Sequence, residues 1–108
     1  MADSFQILYQ GQLPSSVATL ATVPGAKQWI VKTIEIVNND TTSAHTFSLY
    51  HNGTTSAHII TPIAVSVPSG GAWQRYDVSM TFATGDTLAG VASSASLLTI
   101  TTWGDQIG

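Results

Sequence analysis

The sequence predicts an all-β fold, an antiparallel β-sandwich of about eight strands with a jelly-roll layout. Three observations carry this. Apolar residues alternate with polar ones through most of the chain. No stretch of twelve residues keeps a helical apolar period. Turn residues recur at short intervals, the pattern of a sandwich or barrel. An immunoglobulin-like sandwich is the alternative layout.

The segment Trp29 to Asn38, WIVKTIEIVN, is the longest run rich in β-branched residues. Such side chains lose χ1 freedom in a helix and suit a pleated surface. Period two places Ile30, Ile34 and Ile36 on one face, with Lys32 interrupting. Trp29, Val31, Thr33, Glu35 and Val37 fall on the other. This is the expected central strand, and the polar run Asn38 to Ser43 stops it.

The other elements follow in order. Ser4 to Gln12 alternates as a first strand, and Leu13-Pro14-Ser15-Ser16 breaks it, because proline has no N–H for a ladder. Val17 to Val23 is a second, weaker strand. Pro24-Gly25-Ala26-Lys27 is a turn, with glycine accepting positive φ. Ala44 to His51 is a strand with Phe47 and Leu49 on one face. Asn52-Gly53 predicts a type I′ hairpin returning through Ser56 to Thr61. Pro62 places a bulge or edge before Ile63 to Val67, and Pro68 to Gly71 is a loop. Ala72 to Phe82 is expected as one strand, with Tyr76, Val78 and Met80 in phase. Ala83 to Asp86 turns into a short strand, Thr87 to Ala92. Ser96 to Trp103 is the last strand, and Gly104 to Gly108 is expected to be a mobile tail.

At 108 residues the chain is a single domain, 1–108, with a possible N-terminal arm or edge strand over 1–13. That length buries a core without staples. There are no cysteines, hence no disulfides and no thiolate zinc site. The N-terminus lacks the basic and apolar regions of a signal peptide, so synthesis in the cytoplasm is expected. No apolar run approaches the ~20 residues of a membrane span.

Charge is the unusual feature. Only 8% of residues are charged, with Lys27, Lys32 and Arg75 the only strong cations and a net charge of −3. Ordinary soluble domains carry about 25%. Nucleic-acid binding by phosphate neutralisation needs clustered Lys and Arg, which this chain lacks. Serine and threonine make up roughly a quarter of the residues. A weakly charged surface resists association poorly. It suits a protein whose surface is covered by neighbours.

Catalytic and metal-binding patterns are weak. His45, His51 and His58 do not converge at zinc-ligand spacing, so no metal is expected. Ser, His and Asp residues occur without a G-x-S-x-G elbow, and Asp3, Asp40, Asp77, Asp86 and Asp105 are scattered, mostly in turns. No enzyme activity and no cofactor are expected. Gly70-Gly71 and Gly85 lack the lysine and helix of a phosphate loop. Asn39-Asp40-Thr41 and Asn52-Gly53-Thr54 match the glycosylation pattern by chance. Trp29, Trp73 and Trp103 fall at predicted strand ends. They either cap the core or pack on a neighbour, since tryptophan is enriched at interface centres. Stacking on sugar rings is a further option. With Phe5, Ile7 and Tyr9 of the first strand, they are the candidate protein-interface residues. The Ala2 to Leu13 segment could also add a strand to a partner.

Three stretches together resemble a known group. They are ILYQGQLPSSVATLATVPGAKQWIVKTIEIVNND, then HTFSLYHNG, then GDTLAG followed by LLTITTWGDQI. Their order is similar to that of small all-β accessory proteins of tailed-bacteriophage virions, and the likeness covers nearly the whole chain. The resemblance implies a structural role in the virion, foremost a capsid decoration or cement protein bound to the major capsid protein. Tail, collar or fibre subunits, which would bind tail proteins, and a glycan-binding host-attachment module are the alternatives. It also implies a homo-oligomer, with a trimer favoured, and neither nucleic-acid nor membrane partners.

Overall fold

A computed structural model describes residues 4–61, 65–76 and 79–108. The strands are β1 (Ser4–Gln12), β2 (Ala18–Thr22), β3 (Gln28–Asn38), β4 (His45–His51), β5 (Val65–Val67), β6 (Ala72–Arg75), β7 (Met80–Phe82), β8 (Thr87–Ala92) and β9 (Leu98–Ile107). All pairings are antiparallel. One sheet runs β1-β9-β3-β6, with β7 also on β3; the other runs β2-β8-β4-β5.

This order is a jelly roll. Successive strands cross from one sheet to the other, except between β4 and β5 and between β6 and β7. Counting β6 and β7 as one interrupted strand leaves eight strands in two four-stranded layers. The immunoglobulin-like alternative is set aside, because its sheets are ordered differently.

The core lies between the layers. Val31, Ile34, Ile36, Leu98 and Ile100 from the first sheet face Phe47, Leu49, Val67 and Leu88 from the second, and all are buried. Each such side chain contributes about 1.5–3 kcal/mol by leaving water.

The strand chosen from sequence as central, β3, is an interior strand, but its facing is not the simple alternation read from sequence. Its buried residues are Trp29 and Val31, then Ile34, Ile36 and Asn38, so the phase changes at Lys32. The register against β9 shifts between Val31 and Thr33. A bulge adds one residue to one strand and moves later side chains to the other face. Ile30 therefore parts from Ile34 and Ile36. The same bulge explains why the strand expected from Ala72 to Phe82 is two. β7 pairs with Trp29 to Val31 and β6 with Ile34 to Val37, leaving the gap opposite the bulge. Tyr76, in that gap, is exposed while Met80 packs on the core. Asp77 and Val78 lie outside the described residues.

Other boundaries also differ. The type I′ hairpin at Asn52-Gly53 does not form. Such a turn needs positive φ at both residues, and only Asn52 has it, at 55°. The chain instead loops through a 3-10 turn, Ser56–His58, in place of a returning strand. It touches β4 again through one bridge, Tyr50 with Ile59, and through Ile60 N–H to the Leu49 carbonyl at 2.9 Å. The His58 ring lies against Gly53. In the 24–27 turn it is Ala26, not Gly25, that takes positive φ (61°). Pro62, Ile63 and Ala64 lie outside the described residues.

The expected tail is strand. β9 runs on to Ile107, with Gln106 opposite Ser4 on one side and Trp29 on the other. Two neighbours hold it, so its polar residues do not end it.

Candidate functional site

The outward face of the five-stranded sheet gathers part of the candidate interface. Directly opposed residues of antiparallel strands point the same way. On β9, Leu98, Ile100 and Thr102 point inward and are buried, so Thr99, Thr101, Trp103, Asp105 and Ile107 point outward. Ile7 of β1 and Thr33 of β3 flank Trp103. Ile30 lies opposite Asp105, and Gln28 opposite Ile107. The result is an apolar stripe of Ile7, Trp103, Ile30 and Ile107, with Ile7 49% exposed and the other three half-buried.

The charge within the stripe, at Asp105, is compensated. Lys32 Nζ pairs with Asp105 Oδ2 at 3.3 Å. The Glu35 carboxylate accepts a hydrogen bond from Gln74 Nε2. Gln10 Nε2 donates to Thr101 Oγ1 at 3.0 Å, adding a neutral polar rim. A face of this kind holds little hydration and little charge repulsion against a neighbour.

Five of the six candidate interface residues divide between the two sides of this sheet. Ile7 and Trp103 lie on the outer face; the Phe5 backbone is paired with Asp105. Trp29 is in the core at 6% exposure, and its Nε1 donates to Gln106 Oε1 at 3.1 Å. Tyr9 packs against the core from the inner face, because β1 carries a bulge between Ile7 and Tyr9. Trp73 also faces inward and meets the Phe47 ring edge-on at 5.1 Å. Trp29, Tyr9 and Trp73 thus build the sandwich. Trp103 is not at a strand end but in the middle of β9. Ile30 and Ile107 were not singled out from sequence; the bulge at Lys32 and the length of β9 hid them.

A second cluster lies at one end of the sandwich. Asn38 ends β3 as a buried polar residue, its Nδ2 donating to the carbonyls of Ser43 (3.0 Å) and Val67 (3.1 Å). Its Oδ1 accepts from Asp40 N–H at 2.9 Å. Asp40 Oδ1 then accepts from the Thr42 N–H (2.9 Å) and hydroxyl (2.8 Å). Its Oδ2 is 2.8 Å from His45 Nε2, and His45 Nδ1 is 3.2 Å from Ser93 Oγ. So a serine, a histidine and an aspartate that looked scattered along the chain do meet. With the imidazole proton on Nε2, Ser93 donates to Nδ1 and Nε2–H donates to Asp40. The His45, then Thr42, hydrogen bonds hold the Asp40 carboxyl well below the usual carboxylate range.

His51 makes a similar pair at the other end of β4. Its Nε2 is 2.9 Å from Asp86 Oδ2, which also accepts Ala83 N–H at 2.9 Å. These bonds lower the Asp86 pKa, the His51 bond most. The His51 ring rests on Phe82, centroids 4.3 Å apart. Among the described residues, no three His, Cys, Asp or Glu side chains gather at ligand distance for a metal. No described helix is long and apolar enough to cross a membrane. No protein-family model matches the chain, and no curated protein matches it significantly.

Proposed function

We propose that the chain is a non-enzymatic structural subunit of a tailed-bacteriophage particle, foremost a decoration or cement protein of the capsid. The observation that carries this reading is the charge-compensated apolar stripe of Ile7, Ile30, Trp103 and Ile107 on the outside of the five-stranded sheet. A rigid jelly roll presents that stripe on three neighbouring strands. Apolar residues held at fixed spacing on a sheet give contact area with little ordering cost. Many copies acting together hold a shell by multivalency, even where each contact is weak. The low charge of the whole chain supports the same reading. The partner would be the major capsid protein or, in the alternative, tail, collar or fibre proteins, with the subunit itself associating as a trimer.

The experiment is to count copies of the chain per purified virion and to add the isolated protein back to particles that lack it. Hundreds of copies and saturable binding to heads support decoration. A handful of copies and binding to tails support the tail reading. Saturable binding to a glycan array without binding to either would replace both with the host-attachment reading.

A further inference from the structure

We propose that Ser93 is an activated hydroxyl that accepts one acyl group from small activated esters. This rests on the cluster at the end of the sandwich and is independent of the docking reading. The geometry has the three parts of an activated serine: a nucleophile, a base in hydrogen-bond reach, and a carboxylate orienting the base. Ser93 Oγ is 3.2 Å from His45 Nδ1, and His45 Nε2 is 2.8 Å from Asp40 Oδ2. Asp40 is itself fixed by the Thr42 N–H and hydroxyl, so the imidazole is held in one tautomer and one orientation. Ser93 is exposed, while His45 and Asp40 are half-buried. Ser93 also lines a groove of about 200 Å³ with Thr46, Phe47, Ser48, Val91 and Ala92, which has room for a small acyl group.

The step balances without any further reactant. Ser93 Oγ bonds to the acyl carbon, the bond from that carbon to the leaving oxygen breaks, and the serine proton passes to His45 Nδ1. The imidazolium then returns the proton to the departing oxygen. The same geometry argues against fast turnover. Ser93 N–H donates to the Thr46 carbonyl at 2.9 Å, and Thr46 N–H donates to Ser93 Oγ at 3.1 Å, so neither amide is turned to an oxyanion and one hydroxyl lone pair is left for attack. Without that stabilisation both acylation and release are slow; an ester with a good leaving group still acylates Ser93, while the resulting alkyl ester has no such help and persists. Ser93 is thus a site of covalent modification rather than the centre of an efficient hydrolase.

The probe is p-nitrophenyl acetate, added to the full chain, with release of p-nitrophenolate followed and the acetylated residue mapped by mass spectrometry. The expected result is one equivalent released per chain and acetyl on Ser93, with none in Ser93→Ala. His45→Gln should slow Ser93 labelling on the order of 10²-fold, the usual contribution of a positioned base. If His45→Gln does not fold, the wild-type map decides by comparing Ser93 with the exposed serines Ser15, Ser16 and Ser66. Acetyl on Ser93 well ahead of those three supports the proposal. Acetyl confined to lysines, or spread equally over the serines, overturns it, as does equal labelling of Ser93 in a folded His45→Gln chain.

Discussion

Gly104 of β9 sits directly against the carbonyl oxygen of Ile30 on β3, so close that a Cβ on residue 104 would overlap it. The contact lies beside the Lys32 bulge, where Val31 is paired with Gly104 and the register then shifts. The bulge sets which β3 side chains face the core and where Ile30 points. Gly104 is the residue that lets β9 pass it.

Gly104→Ala should therefore be costly. The obstacle is backbone on both sides and has no side chain to rotate away. Overpacking of this kind costs about 1–3 kcal/mol. Urea unfolding followed by tryptophan fluorescence should show a lower midpoint with an unchanged slope.

Asn38 is buried at 2% exposure and ties three backbone groups together. Asn38→Leu keeps the size but leaves the Val67 carbonyl without this donor inside the protein. A buried polar group stripped of its partner costs about 1–3 kcal/mol. Hydrogen exchange should show the loss as weaker protection at Asp40 N–H, which Asn38 Oδ1 accepts.

Acid should weaken the fold in a defined direction. Asp40 and Asp86 have carboxyl pKa values lowered in the folded chain, chiefly by His45 and His51. A lowered pKa means the unfolded chain binds protons first. The stability from these groups is complete above the unfolded value of about 3.9 and drains away as pH falls toward the folded values. Thermal melts should be level in this contribution near neutrality and decline below about pH 5. Asp40→Asn should flatten that acid limb. A limb of unchanged steepness would show that Asp40 does not contribute to it.

The tryptophans should separate cleanly. Trp29→Ala empties a core position and should cost about 3–5 kcal/mol. Trp103→Ser removes a partly buried side chain from the outer face and should cost less, about 1–3 kcal/mol, and on the proposed docking it should weaken binding to the particle. Paired urea curves and particle-binding isotherms for the two variants check this.

Much of the fold was legible in the sequence because alternation and turn residues are local signals. β1 and β8 have the bounds the pattern predicts, and β3 differs by one residue. What alternation cannot show is a bulge, since one extra residue looks like an ordinary polar interruption. Lys32 is that residue, and it moved Ile30 away from Ile34 and split the strand opposite. Gly104 fell in the expected tail, yet a close backbone approach inside the strand requires it. The candidate site was half legible. Ile7 and Trp103 were found by type, but Ile107 lay beyond the expected end of β9. The link between His45 and Ser93 spans 48 residues and depends on β4 pairing with β8, which no local pattern reveals.

The proposed docking through the outer stripe is checked by solvent access at Trp103 in a virion. Hydroxyl-radical footprinting compares the isolated chain with purified virions carrying it. The outer stripe predicts strong protection of Trp103 and Ile7 in the virion, with exposed Tyr76 serving as the reference. Equal oxidation of Trp103 in both samples, or virions that contain no copy of the chain, would contradict the assignment of this face to particle assembly.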